Sequence, residues 1–123
     1  MPITAEEIAA KVEATKGRKA KRRKLTSEPE GTKGKKLPSD LRKGLEAHFG
    51  SKLSKVKVHI GGNAKDLCKE LRAKAFTIGN DLYLARPASA KDNNLLVHEL
   101  AHVLQQGRGK MPKPRDGQAL VSK

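Results

Sequence analysis

The central part of this sequence predicts an α+β domain in the order helix, strand, helix, hairpin, helix. Three observations carry that expectation. Apolar residues recur at helical spacing from Leu41 to Phe49, from Ala64 to Lys74 and from Asn93 to Gln106. Val56-Lys57-Val58-His59-Ile60 alternates strictly, as a half-buried strand does. Two short apolar runs, Ala75–Ile78 and Leu82–Leu84, flank the turn residues Gly79-Asn80-Asp81, which reads as a hairpin.

Each element has its own punctuation. Leu37-Pro38-Ser39-Asp40 opens the first helix, with Leu41, Leu45, His48 and Phe49 on one face and Gly50 as the stop. The alternating strand ends at Gly61-Gly62. Asn63 is placed to cap the second helix, which turns Leu67, Cys68 and Leu71 inward. Phe76, Ile78, Leu82 and Leu84 supply the hairpin's core. A loop, Ala85–Lys91, leads to Asp92-Asn93, the cap of a strongly apolar last helix that Gly107 ends.

The flanks read differently. Residues 1–36 hold eleven basic and five acidic residues. A short helix from Ala5 to Ala14 passes into the basic run Lys16–Lys24, then into a Ser/Glu/Pro/Gly/Lys stretch with almost no apolar content. Such a composition buries too little surface to offset chain entropy, so a largely disordered basic tail is expected over 1–36 and the folded domain over 37–106. Residues 107–123 carry Gly107, Gly109, Pro112, Pro114 and Gly117 and read as an extended C-terminal tail, with Ala119-Leu120-Val121 its one apolar segment.

Composition narrows the function classes. With 123 residues and 2% aromatics, the chain supports one domain with a small aliphatic core, for which a bound metal or partner matters. A formal charge of +14 predicts non-specific affinity for polyanions, but no aromatics are interleaved with the basic run to stack on bases. A single cysteine, Cys68, excludes an intramolecular disulfide framework; on an inward helix face it reads as core. The start, Met-Pro-Ile-Thr-Ala-Glu-Glu, lacks the charged and apolar pattern of a secretory signal, and no apolar run reaches membrane-spanning length. The expectation is a protein made in the cytoplasm, with no membrane insertion.

The last helix carries His98-Glu99-Leu100-Ala101-His102. Histidines four apart lie one turn apart on one face, so both imidazoles can reach a single ion, and the glutamate after the first falls beside them. Zinc suits neutral imidazole nitrogens, and a carboxylate there can take a proton from an activated water and pass it to a leaving amine. At about 100° per residue with Leu95 at zero, His98, His102 and Glu99 fall at about 300°, 340° and 40°, opposite the arc of Leu96, Val97, Leu100, Ala101, Val103 and Leu104. This predicts an exposed or cleft-facing metal site with Glu99 as the catalytic base and His98 and His102 as metal ligands, in a small zincin-like domain. The plainer alternative is a solvated patch of two histidines and a glutamate.

A catalytic zinc takes a third protein ligand. No glutamate follows Glu99, and Asp116 lies in the Pro/Gly tail. Upstream, His59 faces away from Val56, Val58 and Ile60 and is the candidate third ligand, against the alternative of a strand histidine bonded to a backbone carbonyl. His48 reads as a half-buried core residue, and Tyr83 and Arg86 are near enough in the chain to be considered for stabilising an oxyanion.

From Leu37 to Gln106 the sequence resembles a bacterial domain family of extracellular contractile injection system gene clusters, that system's metallopeptidase-like core domain. The resemblance lies in Leu37-Pro38-Ser39-Asp40-Leu41-Arg42, Leu45-Glu46-Ala47-His48-Phe49-Gly50, Leu53–His59, Ala73–Asn80 and Leu95–Gln106. It implies a zincin-like peptidase linked to phage-tail-like injection machines or their cargo, with His98 and His102 on Zn2+ and Glu99 as general base. Its partners would be a peptide or protein substrate and injection-system structural proteins, and the chain would be loaded into or delivered by an injection particle. A second reading retains the fold as a catalytically weak or inactive docking or cargo module. A third, a nucleic-acid-associated protein, has charge alone in its favour.

Overall fold

The computed structural model describes residues 3–15, 21–86, 92–109, 111, 113 and 117–122. Its helices are α1 (Ala5–Thr15), α2 (Ser39–Phe49), α3 (Ala64–Leu71) and α4 (Asn93–Gln106). Its strands are β1 (Lys21–Lys24), β2 (Thr32–Lys36), β3 (Lys57–Gly61), β4 (Ala75–Ile78), β5 (Asp81–Leu84) and β6 (Gln118–Ser122). The strands form one mixed sheet in the order β1-β6-β4-β5-β3-β2, with β3 and β5 parallel and the other pairs antiparallel. This is a small α+β domain.

The central elements form where the punctuation predicts them. Gly50 ends α2 in the left-handed region, at φ 71°, its N–H donating to the Glu46 carbonyl. Gly79 and Asn80 link β4 to β5, which pair from Ile78–Asp81 to Ala75–Leu84. Asp92 caps α4, its Oδ1 accepting from the Leu95 N–H at 3.2 Å. The helix α3 is shorter than expected: Arg72 turns left-handed at φ 54°, and the Ala73 N–H returns to the Cys68 carbonyl so that β4 can start at Ala75. Asn63 precedes α3 but does not cap it by its side chain. It bridges instead to the segment before β2, accepting from the Glu30 N–H at 2.7 Å and donating to the Glu28 carbonyl at 2.8 Å.

Side chains alternate across the sheet and divide the core in two. Val58, Ala75, Leu82 and Leu84 join Ile8, Val12, Leu41, Leu45, Leu96, Val97, Leu100 and Leu104, so α1, α2 and α4 cover one face. Phe76, Ala119 and Val121 join Leu67, Cys68 and Leu71, so α3 covers the other.

Both flanks depart from the disordered or extended tails expected of them. Residues 3–15 enter the core through Ile3, Ile8 and Val12, and α1 seats between α2 and α4; Gly44 of α2 leaves the space that the Ile8 side chain fills. Strand β1 pairs with β6, and β2 pairs with β3, along both edges of the sheet. Edge pairing is made by backbone groups, and lysines suit an edge, so neither strand needs the apolar alternation by which strands are read. The apolar segment Ala119-Leu120-Val121 is the buried middle of β6. Lys16 to Ala20, most of the loop 85–91 and Asp116 lie outside the described residues.

Leu100 is fully buried where α4 meets the sheet. Leu100→Ala is expected to cost about 2–5 kcal/mol, read as a lower urea midpoint with unchanged slope.

Candidate functional site

The helix α4 is buried on several sides. Leu96, Val97, Leu100, Ala101, Val103 and Leu104 are all buried. Within this helix His98 and His102 lie side by side as a tilted pair, ring centroids 4.5 Å apart and planes at 45°. Two imidazoles one turn apart on a packed helix therefore share a common approach.

What lies against them is the first departure from expectation. His98 is half-buried, whereas Glu99 is 2% exposed and His102 4% exposed. Glu99 and His102 do not face open solvent, and α1 packs along α4 beside them. Asn94 and His98 line a cavity of about 220 Å³ with Lys11, Ala14 and Thr15 of α1. Two turns beyond His98 along α4, the Gln105 Nε2 donates to the Val12 carbonyl at 2.9 Å. That bond satisfies a carbonyl at the C-terminal end of α1, where intrahelical partners run out. Glu99 and His102 each engage other groups of the fold.

On the other flank of α4, one turn before Glu99, Leu95 lines a larger cavity of about 470 Å³ with Ala73, Lys74, Ala85, Arg86 and Asp92. The charge of Glu99 acts on Cys68 of α3. Burial, reinforced by the Glu99 charge, pushes the Cys68 thiol up to about 12.

His59 belongs to a different constellation. Its Nε2 lies 2.8 Å from Asp81 Oδ1 and its Nδ1 3.2 Å from Thr32 Oγ1. Its ring stacks on Tyr83 at 4.7 Å, and Tyr83 stacks on Phe76 at 4.9 Å, a ladder of rings across β3, β5 and β4. A Cβ on Gly34, opposite on β2, would stand 2.8 Å from the His59 ring, so glycine makes room for it. This ladder lies on the α3 face, while α4 packs on the Val58 face. Alternation, the same property that singled His59 out in the sequence, turns it away from His98 and His102. Its partner is a carboxylate rather than a backbone carbonyl. Among the described residues no three His, Cys, Asp or Glu side chains group so as to hold a metal ion.

The remaining candidates separate too. Tyr83 sits in the ring ladder, where burial, then the Asp81 charge, raises its pKa. Arg86 lines the Leu95 cavity on the α4 side. His48, in the last turn of α2, is exposed and meets Phe49 edge to face at 5.0 Å. Lys11, Thr15 and Asn94, which frame the approach to His98, went unread; Ile8 and Val12, four apart, were the available signal that α1 docks.

The chain is thus a small α+β domain whose last helix carries His98-Glu99-Leu100-Ala101-His102, with His98 lining a cavity. The family model of the eCIS core domain, that of the extracellular contractile injection system, matches residues 36–110, and the chain belongs to that family. No curated protein and no solved structure matches it. None of its described helices is long and apolar enough to cross a membrane.

Cys68 gives a pH test of this packing. Its folded pKa, about 12, lies above the ordinary 9.0, so the folded state holds the proton more tightly. The contribution is fully present below pH 9 and is lost as pH rises towards 12. Native protein at pH 8 is expected to resist iodoacetamide at Cys68 and to react once unfolded in urea, with stability falling over the alkaline window by chemical denaturation.

Proposed function

We propose that this chain is a zinc-dependent metallopeptidase-type core domain associated with a bacterial contractile injection system, with a zincin-like arrangement of its motif helix. The observation that carries this reading is the adjacent pair of imidazoles, His98 and His102, one turn apart with ring centroids 4.5 Å from each other and Glu99 between them in the chain. Family membership supports the association with injection-system proteins as partners.

The donor set fits zinc in part. His98 and His102 would hold the ion; the group of three donors usual for a catalytic zinc is not met among the described residues. Water or a donor from a partner would complete the shell. When bound, zinc would supply Lewis acidity towards a peptide carbonyl and make water a stronger acid. Glu99 then has a defined task at its carboxylate oxygens: to accept a proton from water and deliver it to the leaving amine nitrogen. Its burial excludes bulk solvent, which strengthens electrostatic interactions at that carboxylate. On this reading the chain is made in the cytoplasm of the producing bacterium and carried by an injection particle, and its positive charge adds loose affinity for polyanions.

The burial of Glu99 and His102 also favours a second reading, a docking or cargo module that keeps the fold with weak or no catalysis. One pair of variants separates the two. Purified protein dialysed against zinc is expected to retain one ion per chain by elemental analysis. His98→Ala should weaken binding by more than the roughly tenfold to hundredfold that loss of an outer-shell partner costs. Glu99→Gln should keep the zinc and slow cleavage of a quenched-fluorescent peptide library by about 10²–10⁴. Zinc retention without Glu99-dependent cleavage would favour the module; zinc indifferent to His98 would sink the peptidase reading and leave the module standing.

A further inference from the structure

The N-terminal helix lies outside the family match and yet packs on it. The match begins at residue 36, so α1 lies outside the matched domain, yet it is seated on the matched domain's motif helix. Three independent features hold it there. Ile8 and Val12 enter the common core, with Ile8 filling the space beside Gly44 of α2. Gln105 of α4 donates to the Val12 carbonyl. Lys11, Ala14 and Thr15 wall the cavity into which His98 opens.

Helical spacing shows what α1 covers. Asn94, His98, His102 and Gln105 follow one another at intervals of four, four and three, so they form one stripe. The two ends of that stripe, Asn94 with His98 and then Gln105, are the groups that meet α1. His102 lies between them and is 4% exposed.

The remaining opening is small. A water takes about 30 Å³ of liquid volume, and pockets for drug-sized ligands run to about 300–1,000 Å³. The cavity beside His98, about 220 Å³, falls below that range and suits small groups better than a length of polypeptide.

We infer that α1 is a self-occluding segment, which lets an ion reach the His98–His102 stripe but denies it to a polypeptide until α1 is displaced. This rests on the reading of that stripe as a metallopeptidase site. Few aliphatic anchors hold α1 against the entropy of ordering its eleven residues, so the contact is one that a competing surface can take over.

The test undocks α1 in the full chain with Ile8→Asp and, independently, Val12→Asp. Two readouts are taken: carbethoxylation of each histidine by diethyl pyrocarbonate, followed by mass spectrometry, and cleavage of the peptide library by the zinc-loaded protein. Cys68 unreactive at pH 8 reports that the rest of the fold survives. His102 modification is expected to rise at least about tenfold in both variants, with His59, across the sheet, unchanged. A synthetic peptide of residues 3–15 should reverse the rise. Faster cleavage alongside supports the inference in full. A rise at His102 without cleavage supports the cover and counts against the peptidase reading alone. His102 modified at the same rate in native protein and in both variants overturns the cover, whatever the activity.

Discussion

The structure depends on the burial of one helix. Leu96, Val97, Leu100, Ala101, Val103 and Leu104 of α4 are packed between the sheet and the helices α1 and α2. Each large side chain so buried contributes roughly 1.5–3 kcal/mol, a large share of the stability of a domain this size. The same packing fixes the rotation of α4 about its axis and so decides where His98, Glu99 and His102 point. Polar groups in such a helix are costly unless partnered. Glu99 and His102 are both buried and both engaged within the fold, so they do not form a solvated patch.

Much of this was legible in the sequence, and the parts that were not share a cause. The Asp92 cap, the Gly50 stop, the Gly79-Asn80 turn and the α4 motif are local signals, written in residues next to the structure they make. What escaped was structure made by distant partners. Lys21–Lys24 shows no apolar alternation, yet its backbone pairs with β6 almost a hundred residues later. Ile8 and Val12 make a modest amphipathic pattern until Gly44 and Gln105 are brought beside them. The pair His98 and His102 was visible because helix periodicity alone brings them together. The direction of His59 was also visible from alternation, but not that the sheet would stand between it and α4, because that depends on which helix covers which face.

The chain's charge finds a structural place as well. Both outer strands are basic: Lys21-Arg22-Arg23-Lys24 on one edge and Lys33, Lys35 and Lys36 on the other. Like charges along open edges oppose edge-to-edge pairing of two copies. Between those edges the His59–Tyr83–Phe76 ladder and the Asp81 bond stiffen the centre on the face away from α4. The sheet thus separates His59 from the two histidines on the motif helix, of which His98 lines a cavity.

The central claim is that one turn of α4 aims two imidazoles at a common point. Anomalous diffraction at the zinc edge, from crystals of the full chain grown with zinc, measures this most directly. One peak at about 2.0–2.1 Å from a ring nitrogen of each of His98 and His102 is expected. Zinc bound elsewhere, or rings turned to separate points with no peak between them, would contradict it.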